Sequence, residues 1–133
     1  MWLGISASTQ AEADERIPEL LATPAAVRWI SVEPMVGPVD LQAYLPGRVN
    51  PNWSGRADES PASAWGLDWV VCGAEAGPGA RPMDEAWVRA IRDQCVAAGV
   101  SLFYKQRVDG GQKIAMPELD GRVWAQLPEV MRG

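Results

Sequence analysis

At 133 residues, 47% hydrophobic and 22% charged, the chain has the composition of one folded domain, not of a disordered or fibrous protein. A net charge of −5 argues against nucleic acid as a partner for the surface as a whole, and the absence of histidine excludes Ser-His-Asp and Cys-His catalysis and every His-containing metal site. No run of about 18 apolar residues is present and "MWLGIS" lacks a signal peptide's basic start, so the expected setting is the cytoplasm, with no membrane partner.

"WLGISAS" (2–8) opens the chain as an apolar strand, and Ser8 or Thr9 is placed to cap a helix over "QAEADERIPELLA". Pro18 lacks a backbone donor, so this helix is expected to break near Ile17 and restart with Pro18 in its first turn. "VRWISVEP" (27–34) is rich in β-branched and aromatic residues and predicts a second strand. Residues 46–66 have the Gly, Pro, Ser and Asn density of a long loop or insertion. "LDWVVCGAE" (67–75) predicts the third strand, and "SLFYKQ" (101–106) the fourth. Between them, Val88, Ile91, Cys95 and Ala98 recur at helical spacing, with Asp84 as the cap and Gly99 as the stop. In "MPELDGRVWAQLP", Asp120-Gly121 is the turn of a C-terminal hairpin within 114–128. The order predicts a single α/β domain over 1–133, a parallel βα-repeat sheet with right-handed crossovers.

Ligands of parallel sheets gather outside the carboxyl ends of the strands, and each strand here ends in polar residues: Ser6 and Ser8, Glu33, Glu75, then Lys105 and Gln106. Alternation along the strands leads us to expect Glu33, Glu75 and Lys105 on one rim. Gly73 leaves room beside the backbone, and Gly77-Pro78-Gly79 can turn amides toward an anion before Arg81 adds its charge. Gly73, Glu75, Gly77, Gly79 and Arg81 are therefore the expected cofactor-binding set. Glu33, Lys105, Gln106, Trp53 and Trp65 are the expected substrate or partner contacts. The plainer reading is that Glu33 and Glu75 simply pair with Lys105 and Arg81. Trp29, Trp69 and Trp87 read as core, and Cys72 and Cys95 as reduced core residues without metal or redox spacing. The charge is uneven: residues 1–80 carry 4 basic and 10 acidic side chains, residues 81–113 carry 6 and 4, and residues 114–133 carry 2 and 3. The cluster Arg81, Arg89, Arg92, Lys105, Arg107 and Lys113 reads as a solvated face sooner than as an anion site.

"WLGISAS", "ADERIPELLATPAAVRWISVEPMVGPVDL", "LDWVVCGAEAGPGARPMDEAWVRAIRDQCVAAGVSLFYKQ" and "LDGRVWAQLP" together resemble a bacteriophage and prophage family of uncharacterised proteins, known by the phage gene-product numbers thirty-seven and sixty-eight. Longer members of that family look like radical S-adenosylmethionine barrel proteins, with a cysteine-rich segment near the N-terminus. The resemblance implies that this chain corresponds to the C-terminal half, and that Gly73, Glu75 and Gly77 belong to a barrel rim facing cofactor or substrate. It also implies that S-adenosylmethionine enters only in a larger assembly, because Cys72 and Cys95 cannot supply the thiolates of an iron–sulfur cluster. No cofactor is expected in the isolated chain.

A closed barrel of eight βα units takes about 250 residues, so four strands make roughly half of a TIM-type barrel with two open edges. The first and fourth strands are expected to pair with a second copy, as a homodimer, or with another protein. The leading functional expectation is a non-catalytic binding or inhibitory module acting on a host or phage protein in the host cytoplasm. The other is a fragment of a radical S-adenosylmethionine-like enzyme that needs a separate cluster-bearing half. A flavodoxin-like nucleotide-binding domain rests on the parallel sheet and the glycine turn alone.

Overall fold

The computed structural model describes residues 2–46 and 66–128. Nearly all of the predicted long loop, including Trp53 and Trp65, lies outside the described residues. The strands β1 (Trp2–Ser6), β2 (Val27–Val32), β3 (Trp69–Gly73), β4 (Ser101–Asp109) and β5 (Gln112–Ala115) form one sheet in that spatial order. The first four run parallel and β5 returns antiparallel along β4. Helix α1 (Gln10–Leu21) connects β1 to β2, and α2 (Glu85–Ala98) connects β3 to β4. A separate hairpin, β6 (Glu118–Leu119) and β7 (Arg122–Val123), follows.

A sheet whose spatial order follows the chain, with every crossover of one hand, carries its helices on one face. Alternation then decides which side chains meet them. Ile30, Val32, Val70, Cys72 and Leu102 are fully buried in one core with Ala13 and Ile17 of α1 and Val88 and Ile91 of α2. The opposite face, built from Trp2, Trp29, Trp69, Val71 and Phe103, carries no helix among the described residues.

Thr9 is the cap of α1, accepting a hydrogen bond from the Glu12 amide at 3.2 Å, while the Ser8 amide donates to Glu12 Oε1 at 2.9 Å. The predicted break at Pro18 does not occur, and the helix runs through it to Leu21. Two causes combine. Asp14, whose carbonyl loses its helical partner, is solvent-exposed, and Ala13, Ile17, Leu20 and Leu21 form one buried stripe that two separate pieces would interrupt. Helix α2 follows its prediction: the Ala86 amide donates to Asp84 Oδ1 at 2.9 Å, and Gly99 ends the helix at φ 71°.

The fourth strand is longer than predicted. It continues through Lys105 and Gln106 to Asp109, turns at Gly110 and Gly111 (φ 55° and 81°) and pairs with β5. Below β5 the same edge is taken by the stretch after β7. Ala125 bridges Phe103, the Tyr104 amide donates to the Trp124 carbonyl at 2.6 Å, and the Gln126 amide donates to the Leu102 carbonyl at 2.9 Å. The outer edge of β4 is thus covered by the chain itself, which corrects the expectation that it is open. The Asp120-Gly121 turn is present, both residues at positive φ (53° and 83°), and closes β6 on β7.

Candidate functional site

Aromatic rings cover the lower half of the helix-free face. Trp69 is central, with its ring 6.4 Å from Trp2, 5.5 Å from Trp29 and 6.3 Å from Phe103, in edge-on or tilted contacts. Its indole N–H donates to the Gln126 carbonyl at 2.9 Å, which ties this row to the C-terminal segment. A Cβ on Gly4 would run into the Trp29 indole, so the absence of a side chain there lets Trp29 lie across β1. Trp29 and Trp69, expected as core, are therefore half-buried members of an open surface. Trp87 is also half-buried but packs against the helix-side core. Trp29, Trp69, Val71 and Phe103 floor a groove of about 420 Å³, which Lys105 and Lys113 border.

Polar groups stand at the carboxyl ends of the same strands. Lys105 Nζ donates to Glu33 Oε1 at 3.1 Å. The other carboxylate oxygen, Glu33 Oε2, is buried without a hydrogen-bond partner, and a Cβ on Gly73 would come within 2.8 Å of it. Of the expected rim of Glu33, Glu75 and Lys105, Glu33 and Lys105 meet, beside Gly73. A bulge in β4 sharpens it: Cys72 pairs with Tyr104 but Gly73 pairs with Gln106, leaving Lys105 as the extra residue. Lys105 and Gln106 both line the groove as a result, and Arg107 turns to the helix side, 3.6 Å from Glu85. No feature of the sequence signals this bulge. Gln106, expected as a ligand contact, is only 7% exposed, and its side-chain amide donates to the Ala74 carbonyl at 2.7 Å. It clasps the end of β3 to β4.

Glu75 departs from the predicted rim. Arg81 holds it through Nε at 3.1 Å, through a terminal guanidinium nitrogen at 2.8 Å and through its backbone amide at 2.8 Å. The Arg81 guanidinium, aided by the same amide, pulls the Glu75 carboxyl down to about 2. Gly77 and Gly79, at φ 95° and 75°, shape the turn that brings Arg81 back. Arg81, expected to help hold an external anion, therefore holds the chain's own carboxylate. Glu75 and Arg81 line a separate cavity of about 330 Å³ beside Glu85, Tyr104 and Arg107. There the Tyr104 hydroxyl donates to Glu85 Oε2 at 3.0 Å, and burial, followed by that bond, raises its pKa well above the ordinary value.

The arginines of the basic cluster are all paired: Arg81 with Glu75, Arg89 with Glu85 and Asp120, Arg92 with Asp93 and Asp120, and Arg107 with Asp109 and Glu85. Among the described residues, Lys113 alone of that cluster has no ion-pair or hydrogen-bond partner. Cys72 and Cys95 are free and buried; burial pushes the Cys72 thiol far up and that of Cys95 up to about 12. Two neutral thiols inside the core do not fit an iron–sulfur cluster, and no group of three His, Cys, Asp or Glu that could hold a metal occurs among the described residues. No helix among them is long and apolar enough to cross a membrane.

No curated protein and no solved structure matches this chain. One family model does, over residues 1–128, and by that match the chain belongs to DUF5131, a family described as proteins of unknown function.

Proposed function

We propose that the protein is a binding module without catalysis of its own, built like half of a βα barrel, which docks a basic host or phage protein along the edge of β1 and the adjoining aromatic face. The observation that carries this reading is an apolar face with no layer over it among the described residues, which runs out to an edge strand that none of them pairs. Helices confined to one face are the winding of barrels, whereas doubly wound sheets carry helices on both. At the edge itself, the Ala7 amide donates inward to the Ser31 carbonyl, so alternation turns the backbone groups of Trp2, Gly4 and Ser6 outward. Of these, the Ser6 carbonyl accepts from Arg16 at 2.6 Å. Residues 1–46, which form this side, carry 2 basic and 6 acidic side chains, so two copies would repel there and a cationic partner is favoured. The likeness to phage proteins directs the choice to a host or phage partner.

The test joins sedimentation to amide hydrogen exchange. The isolated chain is expected to sediment as one copy at micromolar concentration, with fast exchange at Gly4 and Ser6, and a partner purified with it is expected to protect those amides. Trp2→Lys is expected to abolish the complex. A stable two-copy mass, or protection on the helices instead of β1, would overturn the proposal.

A second reading is favoured by one feature: Glu33, Gly73 and Lys105, from three different strands, converge above the groove. In that reading the chain is the substrate-facing part of a radical S-adenosylmethionine-like enzyme whose cluster is held elsewhere. Saturable binding of S-adenosylmethionine that is lost in Glu33→Ala or Glu75→Ala supports it. No binding at millimolar ligand removes it.

A further inference from the structure

We infer that the groove on the helix-free face binds a planar aromatic monoanion, with its ring on Trp29, Trp69 and Phe103 and its anionic group on Lys113. This goes beyond the binding-module reading: it assigns a small ligand to the β4–β5 side of the face, at the opposite end of the sheet from the acidic β1 side where a basic protein would dock. The groove volume of about 420 Å³ falls within the usual range for small-molecule sites, and its walls are predominantly apolar, as such sites are. Aromatic rings prefer offset-stacked or edge-on aromatic partners, so a floor of Trp29, Trp69 and Phe103 favours an aromatic body over an aliphatic chain.

The charges at the groove select the sign of the ligand. Glu33 is the carboxylate beside it, and Lys105 already neutralises it at 3.1 Å. Lys113 lines the groove and has no partner among the described residues. The register explains why it stands there: Lys113 lies opposite Val108 and Ala115 opposite Gln106, so Lys113 and Ala115 share the side of β5 that faces the groove. One uncompensated cation beside an aromatic floor is complementary to one negative charge on an aromatic body. A cationic ligand would have to compete with Lys105 for Glu33.

The probe is 1-naphthoate, with the isosteric neutral 1-naphthamide as its control, titrated calorimetrically into the isolated full chain and followed by saturation-transfer NMR. Naphthoate is expected to bind saturably and about tenfold more tightly than the amide. Lys113→Gln should bring the acid to the affinity of the amide, and Lys113→Arg should keep most of the difference. Circular dichroism and the thermal midpoint should stay unchanged in both variants, because Lys113 is exposed and unpaired. Equal affinity for acid and amide, no saturable binding of either, or an unaffected Lys113→Gln variant would overturn the inference. Such a failure leaves the docking of a protein at β1 standing, because sedimentation and amide exchange decide that separately.

Discussion

On one side of the sheet Ile30, Val70 and Leu102 are fully buried under two helices, while on the other Trp29, Trp69 and Phe103, from the same three strands, remain half-exposed. Both sets are apolar, as expected of parallel strands, which ordinarily have both faces covered. The two edges differ in the same way. The chain folds its own β5 and C-terminal segment onto β4, whereas β1 has no neighbouring strand on its outer side among the described residues. The contrast separates two parts of the domain: the helix side buries the core, and the aromatic face with β1 is the part we propose for binding.

The largest expected effect tests that division directly. Ile30→Ala, on the helix side, should cost about 2–5 kcal/mol in urea unfolding. Phe103→Ala, on the open side, should cost less, because its ring is only partly buried. Equal losses would mean that the aromatic face is covered in solution.

Gly4→Ala is next, at about 1–3 kcal/mol, because the new methyl group occupies space held by the Trp29 indole. Denaturant unfolding and tryptophan emission should change together, and a neutral substitution would show that Trp29 does not lie over β1. A smaller, local effect is expected from Asp120→Asn, which keeps a residue type that tolerates positive φ but removes the carboxylate shared by Arg89 and Arg92, and so loosens the β6–β7 hairpin from α2. Faster exchange of the hairpin amides with an unchanged global midpoint is the expected result.

The smallest effect concerns pH. The folded Glu75 carboxyl titrates near 2 against an ordinary 4.5, so its contribution to stability is complete above about 4.5 and is lost as pH falls toward 2. Its carboxyl NMR signal should titrate in that low range. Arg81→Gln should return it to the usual carboxylate range, and an unmoved midpoint would break the assignment of Arg81 as the cause.

Much of this was readable from local signals. Asp84, Gly99 and Thr9 cap helices by hydrogen bonds that lie within a few residues, and Asp120-Gly121 forms its turn through the positive φ that these residue types tolerate. The pairings Glu33–Lys105 and Glu75–Arg81 were also legible, as the plainer of two readings. Pro18 misled because one lost hydrogen bond weighs less than a continuous buried stripe, which is a property of packing and not of the helix itself. Gly110-Gly111 carries a hairpin signal in the sequence, but the apolar pattern of β4 stops at Gln106, four residues short of it.

By itself, the order of apolar runs and caps determined a βα-repeat sheet, because periodicity and capping act over a few neighbours. The tertiary structure alone decided that β4 bulges at Lys105, that Gln106 becomes a clasp, that Glu75 turns to Arg81 and away from Glu33, and that both described helices lie on one face of the sheet. Those outcomes depend on which groups reach one another across strands, a balance of distances and burial that no local pattern records.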